Sequence, residues 1–326
     1  METKRRRIRA GVIGTGRLGR EHARVYASLD EVDRVLVYDR ESTRAEAVAR
    51  EHGAECCASI ETLLAGCDAV SVCTPATHHH AAAAAAFERG IHVLVEKPIS
   101  SDTVSARDMI ARVSSRGCVF QVGHIERFNG AFEAARSLIK RPRFIEAHRL
   151  GVFSPRGIDV SVVQDLMIHD IDLILAVLAG DPIAELRVSG ASVLTDAPDI
   201  VNARIEFAGG CVANITASRI SREPLRKIRF FEENLYVSAD LREKTVEAYE
   251  KRGDPDPSAS GFDPSRIIRG IPVAVDGSEP LRKEIVSFLA AVRGEGKPAV
   301  TGEEGLAALD VAERMLEIIA KTWSPR

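Results

Sequence analysis

The feature that most narrows the fold is a set of three glycines placed directly after an apolar run. Ile8–Ile13 reads as a buried strand, Gly14-Thr15-Gly16-Arg17-Leu18-Gly19 follows it, and Leu18–Ser28 has helical periodicity. A G-x-G-x-x-G pattern alone says little. Between a strand and a helix it has a physical meaning. Gly14 allows the tight turn, Gly16 lets the backbone approach a pyrophosphate, and Gly19 lets helix and strand pack closely. The helix then offers free N–H groups and the positive end of its dipole to the phosphates. Thr15, Arg17 and Leu18 fill the motif and are expected at the cofactor with the three glycines.

Asp39 ends a second apolar run, Arg34–Tyr38, 20 residues past Gly19. A carboxylate there accepts hydrogen bonds from the adenosine ribose and repels a 2′-phosphate, which favours NAD over NADP. Arg40, its neighbour, is the residue that would hold a 2′-phosphate instead. Further strands are read at Ala69–Cys73, Ile91–Val95 and Cys118–Val122, with helices at Ser42–Glu51, Ala81–Phe87 and Asp102–Ser115. This alternation predicts an α/β fold, a doubly wound parallel sheet of Rossmann type over residues 1–124.

Residues 125–326 differ in character. Helical patterns at Ala131–Ile139 and Asp165–Leu178 flank a strand at Phe144–Leu150. Strands follow at Glu185–Leu194, Val201–Phe207, Cys211–Ala217, Lys227–Phe231, Leu235–Ser238 and Thr245–Tyr249, with turns at Ala208-Gly209-Gly210 and Glu233-Asn234. Gly253–Ser265 reads as a surface loop, and two helices close the chain, the last behind a Thr301-x-x-Glu304 capping box. The expected second domain is α+β with a mostly antiparallel open sheet. An exposed sheet face of this kind commonly needs a partner surface.

A chain of 326 residues is too long for one hydrophobic core. Its net charge of -3 supplies no basic field for nucleic acid. The basic start, Met1–Arg7, is followed by Arg9 and the glycine turn rather than by an unbroken apolar stretch, so no secretory signal or membrane span is expected. The six cysteines form no C-x-x-C pair and read as reduced thiols of a cytoplasmic protein.

Two strand ends carry candidate chemistry, Thr74-Pro75 and Glu96-Lys97-Pro98. In an open parallel sheet the ligand crevice lies at the carboxyl ends of the strands. A lysine there can hydrogen-bond a reacting hydroxyl and stabilise the alkoxide as it forms. One ring of His78-His79-His80, taken as His79, is expected near the cofactor. On the predicted helix Asp165–Leu178, Asp165, His169 and Asp172 share a face at i, i+4 and i+7, while Met167, Ile171, Ile174 and Leu178 line another. A neutral imidazole there can take a hydroxyl proton, and a carboxylate can orient it. A metal reading of Asp165 and His169 with His124 or His148 lacks a clustered ligand set. Arg127, Arg149 and Arg156 are candidate anion binders, with Asn129 beside the first.

The combination of Gly14-x-Gly16-x-x-Gly19, Asp39, Thr74-Pro75 and Glu96-Lys97-Pro98, at these intervals, resembles the Gfo/Idh/MocA family of NAD(P)-dependent sugar and polyol dehydrogenases. The resemblance spans the chain. It implies that Lys97 is the catalytic lysine and that Asp165 and His169 are the family's active-site Asp and His, with Met167 where many members carry glycine. The stretches 122–129, 144–149, Phe153–Arg156 and 165–172 are similar to the subgroup of UDP-N-acetylglucosamine 3-dehydrogenases. That likeness implies a nucleotide-sugar substrate bound by Lys97, Arg127, Asn129, Arg156, Asp165 and His169. His169 would accept the C3 hydroxyl proton as hydride leaves for the nicotinamide. It also implies a homodimer or homotetramer and a downstream aminotransferase in lipid A synthesis. Another sugar or polyol dehydrogenase and a non-catalytic NAD-binding sensor stand as alternatives.

Overall fold

The computed structural model describes residues 6–154, 160–253, 263 and 267–322. Their contacts divide the chain into two compact units. The first holds the described residues of Met1–Ile125 and Glu279–Leu309; the second holds those of Glu126–Ser278 and Asp310–Arg326. The expected second domain, 125–326, is therefore not one body in sequence, because the segment from Glu279 returns to the first unit.

The first unit is built on strands β1 (Ile8–Ile13), β2 (Val32–Tyr38), β3 (Glu55–Cys56), β4 (Ala69–Val72), β5 (His92–Glu96) and β6 (Phe120–Gly123). Helices α1 (Arg17–Ala27), α2 (Ser42–His52), α3 (Ile60–Gly66), α4 (His79–Glu88) and α5 (Thr103–Arg116) connect them. The sheet order is β3-β2-β1-β4-β5-β6 and every pairing is parallel. The order reverses between β1 and β4, so this is the switch point where an open α/β sheet binds its ligand. One face buries Leu63, Leu64, Phe87 and Met109 of α3, α4 and α5. The other buries Val25, Tyr26 and Val48 of α1 and α2. The two-residue β3 and seven-residue α3 were not expected from sequence. Ser59 caps α3 by accepting from Thr62 N at 3.2 Å.

The second unit contains α6 (Gly130–Leu138), β7 (Phe144–Leu150), α7 (Ile168–Val177) and seven further strands: β8 (Ile183–Ala191), β9 (Ile200–Phe207), β10 (Val212–Ser218), β11 (Leu225–Phe231), β12 (Leu235–Asp240), β13 (Thr245–Lys251) and β14 (Ile268–Ile271). Their order is β14-β13-β12-β11-β7-β10-β9-β8. All pairs are antiparallel except β7 with β10. Period-two alternation puts Ile145, Ala147 and Arg149 on the buried face of β7. Met167, Ile171 and Ile174, expected to face the sheet, are fully buried. On the opposite face Phe144, Phe231, Tyr236 and Tyr249 stand opposite one another across four strands, with ring centroids 5.7, 5.0 and 6.2 Å apart in turn.

Two closing helices follow, α8 (Pro280–Val292) and α9 (Gly302–Thr322). Leu281, Ile285, Phe288 and Leu289 of α8 join the core under α1. Burying such a side chain is worth about 1.5–3 kcal/mol, enough to draw the segment back to the first unit. Gln121 of β6 fixes it there, donating to Glu284 O at 3.3 Å and accepting from Ala299 N at 3.2 Å. The capping box forms as expected: Thr301 N donates to Glu304 Oε2 at 2.9 Å and Glu304 N to Thr301 Oγ1 at 3.3 Å.

Candidate active site

The glycine motif makes the bend from β1 to α1. Gly14 takes φ +89°, and a Cβ there would meet the Cys73 and Thr74 backbone at 2.9 Å. A Cβ on Gly19 would lie 1.8 Å from Gly14 O. Gly16 differs: a Cβ there would meet nothing within 4 Å. The first two glycines are required by the protein's own packing, whereas the third keeps space open. That open space lies at the N-cap of α1, where the helix N–H groups point outward, and it suits a pyrophosphate. Arg17 and Leu18 supply the exposed first turn.

Asp39 locks this turn. Its Oδ2 accepts from Thr15 N at 2.7 Å and from the Thr15 hydroxyl at 3.2 Å, and its Oδ1 accepts from Glu41 N at 2.9 Å. A cavity of about 660 Å³ opens beside it, lined by Gly14, Gly16, Asp39, Arg40, Thr74 and Pro75, among others. The Thr74 hydroxyl is buried and has no hydrogen-bond partner among the described residues. The open cradle at Gly16, the carboxylate at Asp39 and this unsatisfied hydroxyl together fit NAD. Arg44 also lines the cavity and was missed in the sequence; it sits one turn into the helix after Asp39. A second cavity, about 580 Å³ and rich in arginine, opens at the amino ends of β1, β4 and β5. It lies at the edge of the sheet opposite the glycine turn.

His79 does not face the cofactor cavity. It is 1% exposed, and His78 lines the cavity instead. One residue of helical phase separates them, and three adjacent histidines hide that phase. The His79 ring spans two backbone carbonyls, Thr74 O at 2.8 Å from Nε2 and Pro98 O at 2.9 Å from Nδ1. Burial pushes its pKa down, against the pull of both carbonyls. His80 meets Asp108 at 2.6 Å.

Glu96, also expected at the cofactor, turns its carboxylate inward. Its Oε1 lies 2.9 Å from His22 Nε2, and its Oε2 accepts from Lys97 N at 3.3 Å. His22 is fully buried, and its Nδ1 lies 3.0 Å from Ser71 Oγ, which is 2.9 Å from Tyr26 OH. Lys97 itself is half-buried directly after β5.

In the second unit a single π-helical turn, Val163–Met167, precedes α7 and carries Asp165. Such turns widen a helix and recur at functional sites. It breaks the expected stripe. Asp165 and His169 are half-buried, but Asp172 is 1% exposed and grips Arg127 with bonds of 2.8 and 2.6 Å. Arg149 is 3% exposed and bonds Asp170 at 2.8 and 2.9 Å and Glu126 at 2.8 Å. Asn129 caps α6, accepting from Ala131 N at 3.1 Å and donating to Glu126 Oε2 and Leu241 O. Arg127, Arg149 and Asn129, expected to hold substrate, are thus engaged within the protein. Their partners, Asp170 and Asp172, lie too far along the chain for spacing to reveal the pairing. Arg156 lies outside the described residues.

Comparison with known proteins agrees with this architecture. Residues 8–124 match the family model for the Gfo/Idh/MocA oxidoreductase NAD-binding Rossmann fold, and residues 125–234 match a C-terminal domain of the same family. The UDP-N-acetylglucosamine 3-dehydrogenase of Acidithiobacillus ferrooxidans is 36% identical over 306 residues, covering 94% of this chain and 95% of the relative. A crystal structure of that enzyme superposes with a TM-score of 0.88 over 97% of this chain and 98% of its own, at 35% identity. An inositol 2-dehydrogenase of Rhizobium meliloti is 29% identical over 96% of this chain and 97% of its own. The chain belongs to the Gfo/Idh/MocA family of NAD-binding oxidoreductases.

Proposed function

We propose that this chain oxidises the C3 hydroxyl of UDP-N-acetylglucosamine with NAD. The observation that carries the reading is the 36% identity, over nearly the whole of both chains, to a dehydrogenase of that name and reaction. The glycine turn, Asp39 and the Thr74 hydroxyl hold NAD, which when bound supplies the hydride acceptor. Lys97, at the carboxyl end of β5, hydrogen-bonds the substrate hydroxyl and stabilises its oxygen as negative charge develops. His169 on α7 takes the hydroxyl proton, with Asp165 as its orienting carboxylate. The carboxylates of Asp170 and Asp172 hold Arg149 and Arg127, which anchors α7 and fixes the aim of His169.

The half-buried aromatic row of the second sheet, ending at the exposed Tyr249, supports a homo-oligomer. A 3-keto sugar is a carbonyl that an aminotransferase consumes, so such an enzyme is the expected next step. Among the described residues no helix is long and apolar enough to cross a membrane.

The test is NADH formation by the purified protein with UDP-N-acetylglucosamine, other nucleotide sugars and myo-inositol, in the presence of an aminotransferase that removes the ketone. Turnover with UDP-N-acetylglucosamine above all others is expected. Preference for inositol, or no turnover with any of them, would overturn the substrate assignment.

A further inference from the structure

We infer that His22 and His79 are positioning residues for Lys97, one bracing the peptide before it and the other the backbone at Pro98, the residue after it. The inference rests on the reading of Lys97 as the catalytic lysine.

The two histidines come from different helices on opposite faces of the sheet. His22 lies on α1 and His79 begins α4, and they are 0% and 1% exposed. His22 acts through Glu96. His22 Nε2 lies 2.9 Å from Glu96 Oε1 and Nδ1 3.0 Å from Ser71 Oγ, so the tautomer with its proton on Nε2 donates to the carboxylate and accepts from the serine hydroxyl. Ser71 accepts in turn from Tyr26 O–H, so every group in the chain is satisfied in one direction. Glu96 Oε2 is then aligned to accept Lys97 N–H. Gly123 lies against the same carboxylate: a Cβ there would stand 3.1 Å from it, so any larger residue would press on it. Cys73 offers Sγ near the same pair, but the 2.9 Å separation of His22 and Glu96 is a direct hydrogen bond.

His79 acts from the other side. Its ring stands between Pro98 O, the carbonyl of the residue after Lys97, and Thr74 O at the neighbouring strand end, and as a neutral imidazole it donates to one of the two and packs against the other. The backbone on both sides of Lys97 is thus held by a buried imidazole, and neither ring opens on the cofactor cavity. Substrate and NAD are not touched by either histidine. Their effect reaches the reaction only through where Lys97 stands, and displacements of about 1 Å in such a group cost on the order of a hundredfold in rate.

The experiment compares His22→Leu and His79→Leu with Lys97→Ala, measuring kcat with the preferred sugar, NADH affinity by fluorescence and thermal midpoint. Each leucine variant is expected to lower kcat by about a hundredfold and to leave NADH affinity within about threefold. His79→Gln, which keeps a donor, is expected to recover part of the rate. In a Lys97→Ala background neither leucine change should lower the residual rate further, because non-additivity marks residues that act through one another. A kcat within about threefold of wild type, NADH affinity falling in parallel with kcat, or full additivity with Lys97→Ala would overturn the brace. If Lys97→Ala itself keeps its turnover, the assignment of Lys97 fails instead, whatever the histidines do. Should the leucine variants not fold, His79→Asn (too short to span both carbonyls) and Glu96→Gln take their place with the same expectations.

Discussion

The two units place their functional groups by opposite means. In the first, the main chain does the placing. Gly14 and Gly19 pack against backbone atoms, Asp39 holds the turn by two N–H groups, and the lysine stands at the end of a parallel strand. In the second, buried charge does it. Arg149 lies between Glu126 and Asp170, Arg127 grips Asp172, and α7 is held to its neighbours by guanidinium–carboxylate pairs. Motif residues in the first unit therefore line the open cavity beside the glycine turn. In the second unit the residues that look most like ligand binders are largely scaffold.

The largest expected effect breaks the second arrangement. Arg149→Met leaves Asp170 buried without its bidentate cation and Glu126 with only the more distant Arg226, and removing one partner of such a pair costs about 3–5 kcal/mol. Chemical denaturation should show that loss. Arg44→Met, at an arginine more than half exposed on the cofactor cavity, should change stability by less than about 0.5 kcal/mol. If both arginines behave alike, buried charge is not what organises the second unit.

The same contrast explains what the sequence disclosed. The six parallel strands were legible except for β3, because each of the others is a mostly apolar run that alternates with a helical pattern. The positions of the glycine motif, Asp39 and Lys97 were legible because each directly follows a strand run. The return of α8 was not. Leu281, Ile285, Phe288 and Leu289 announce an apolar helix face, but periodicity does not say which sheet that face covers. Arg127 and Arg149 look like anion binders in the sequence for the same reason. An arginine's charge is visible in sequence, and the carboxylate 21 or 45 residues away that neutralises it is not. His22 gave one faint signal, its place three residues past Gly19 on the buried side of α1.

A smaller effect sharpens the claim about the first unit. Gly16→Ala introduces a Cβ that meets no protein atom within 4 Å, so the fold should keep its thermal midpoint. The added methyl occupies the cradle, and NADH affinity should fall by about tenfold, roughly 1.4 kcal/mol. Gly19→Ala is the counterpart: its Cβ would sit 1.8 Å from Gly14 O, so stability and binding should fall together. Separating the two effects by calorimetry and thermal melting tests whether Gly16 is reserved for the ligand. A drop in stability for Gly16→Ala equal to that of Gly19→Ala would show that it is not.

The smallest effect concerns pH. Burial holds the His79 pKa below its ordinary value of 6.5, and the carbonyls of Thr74 and Pro98 offset this only in part. The neutral ring is the form favoured by the fold. For a group whose folded-state pKa is depressed, the stabilising contribution is present above the unfolded value and is lost as pH falls through the folded one. Stability should therefore decline on acidification below about pH 6.5, as the unfolded chain takes up a proton that the folded site resists. His92 is shifted in the same direction by burial, so the wild-type curve contains both groups. The difference between wild type and His79→Gln isolates the first. The variant should lose less stability on going from about pH 7 to about pH 5, because glutamine takes up no proton. Parallel curves for the two proteins would mean that the ring gains from its two carbonyl acceptors as much as it loses by burial. Below about pH 6.5 His79 would then grip Thr74 and Pro98 as an imidazolium, donating at both nitrogens.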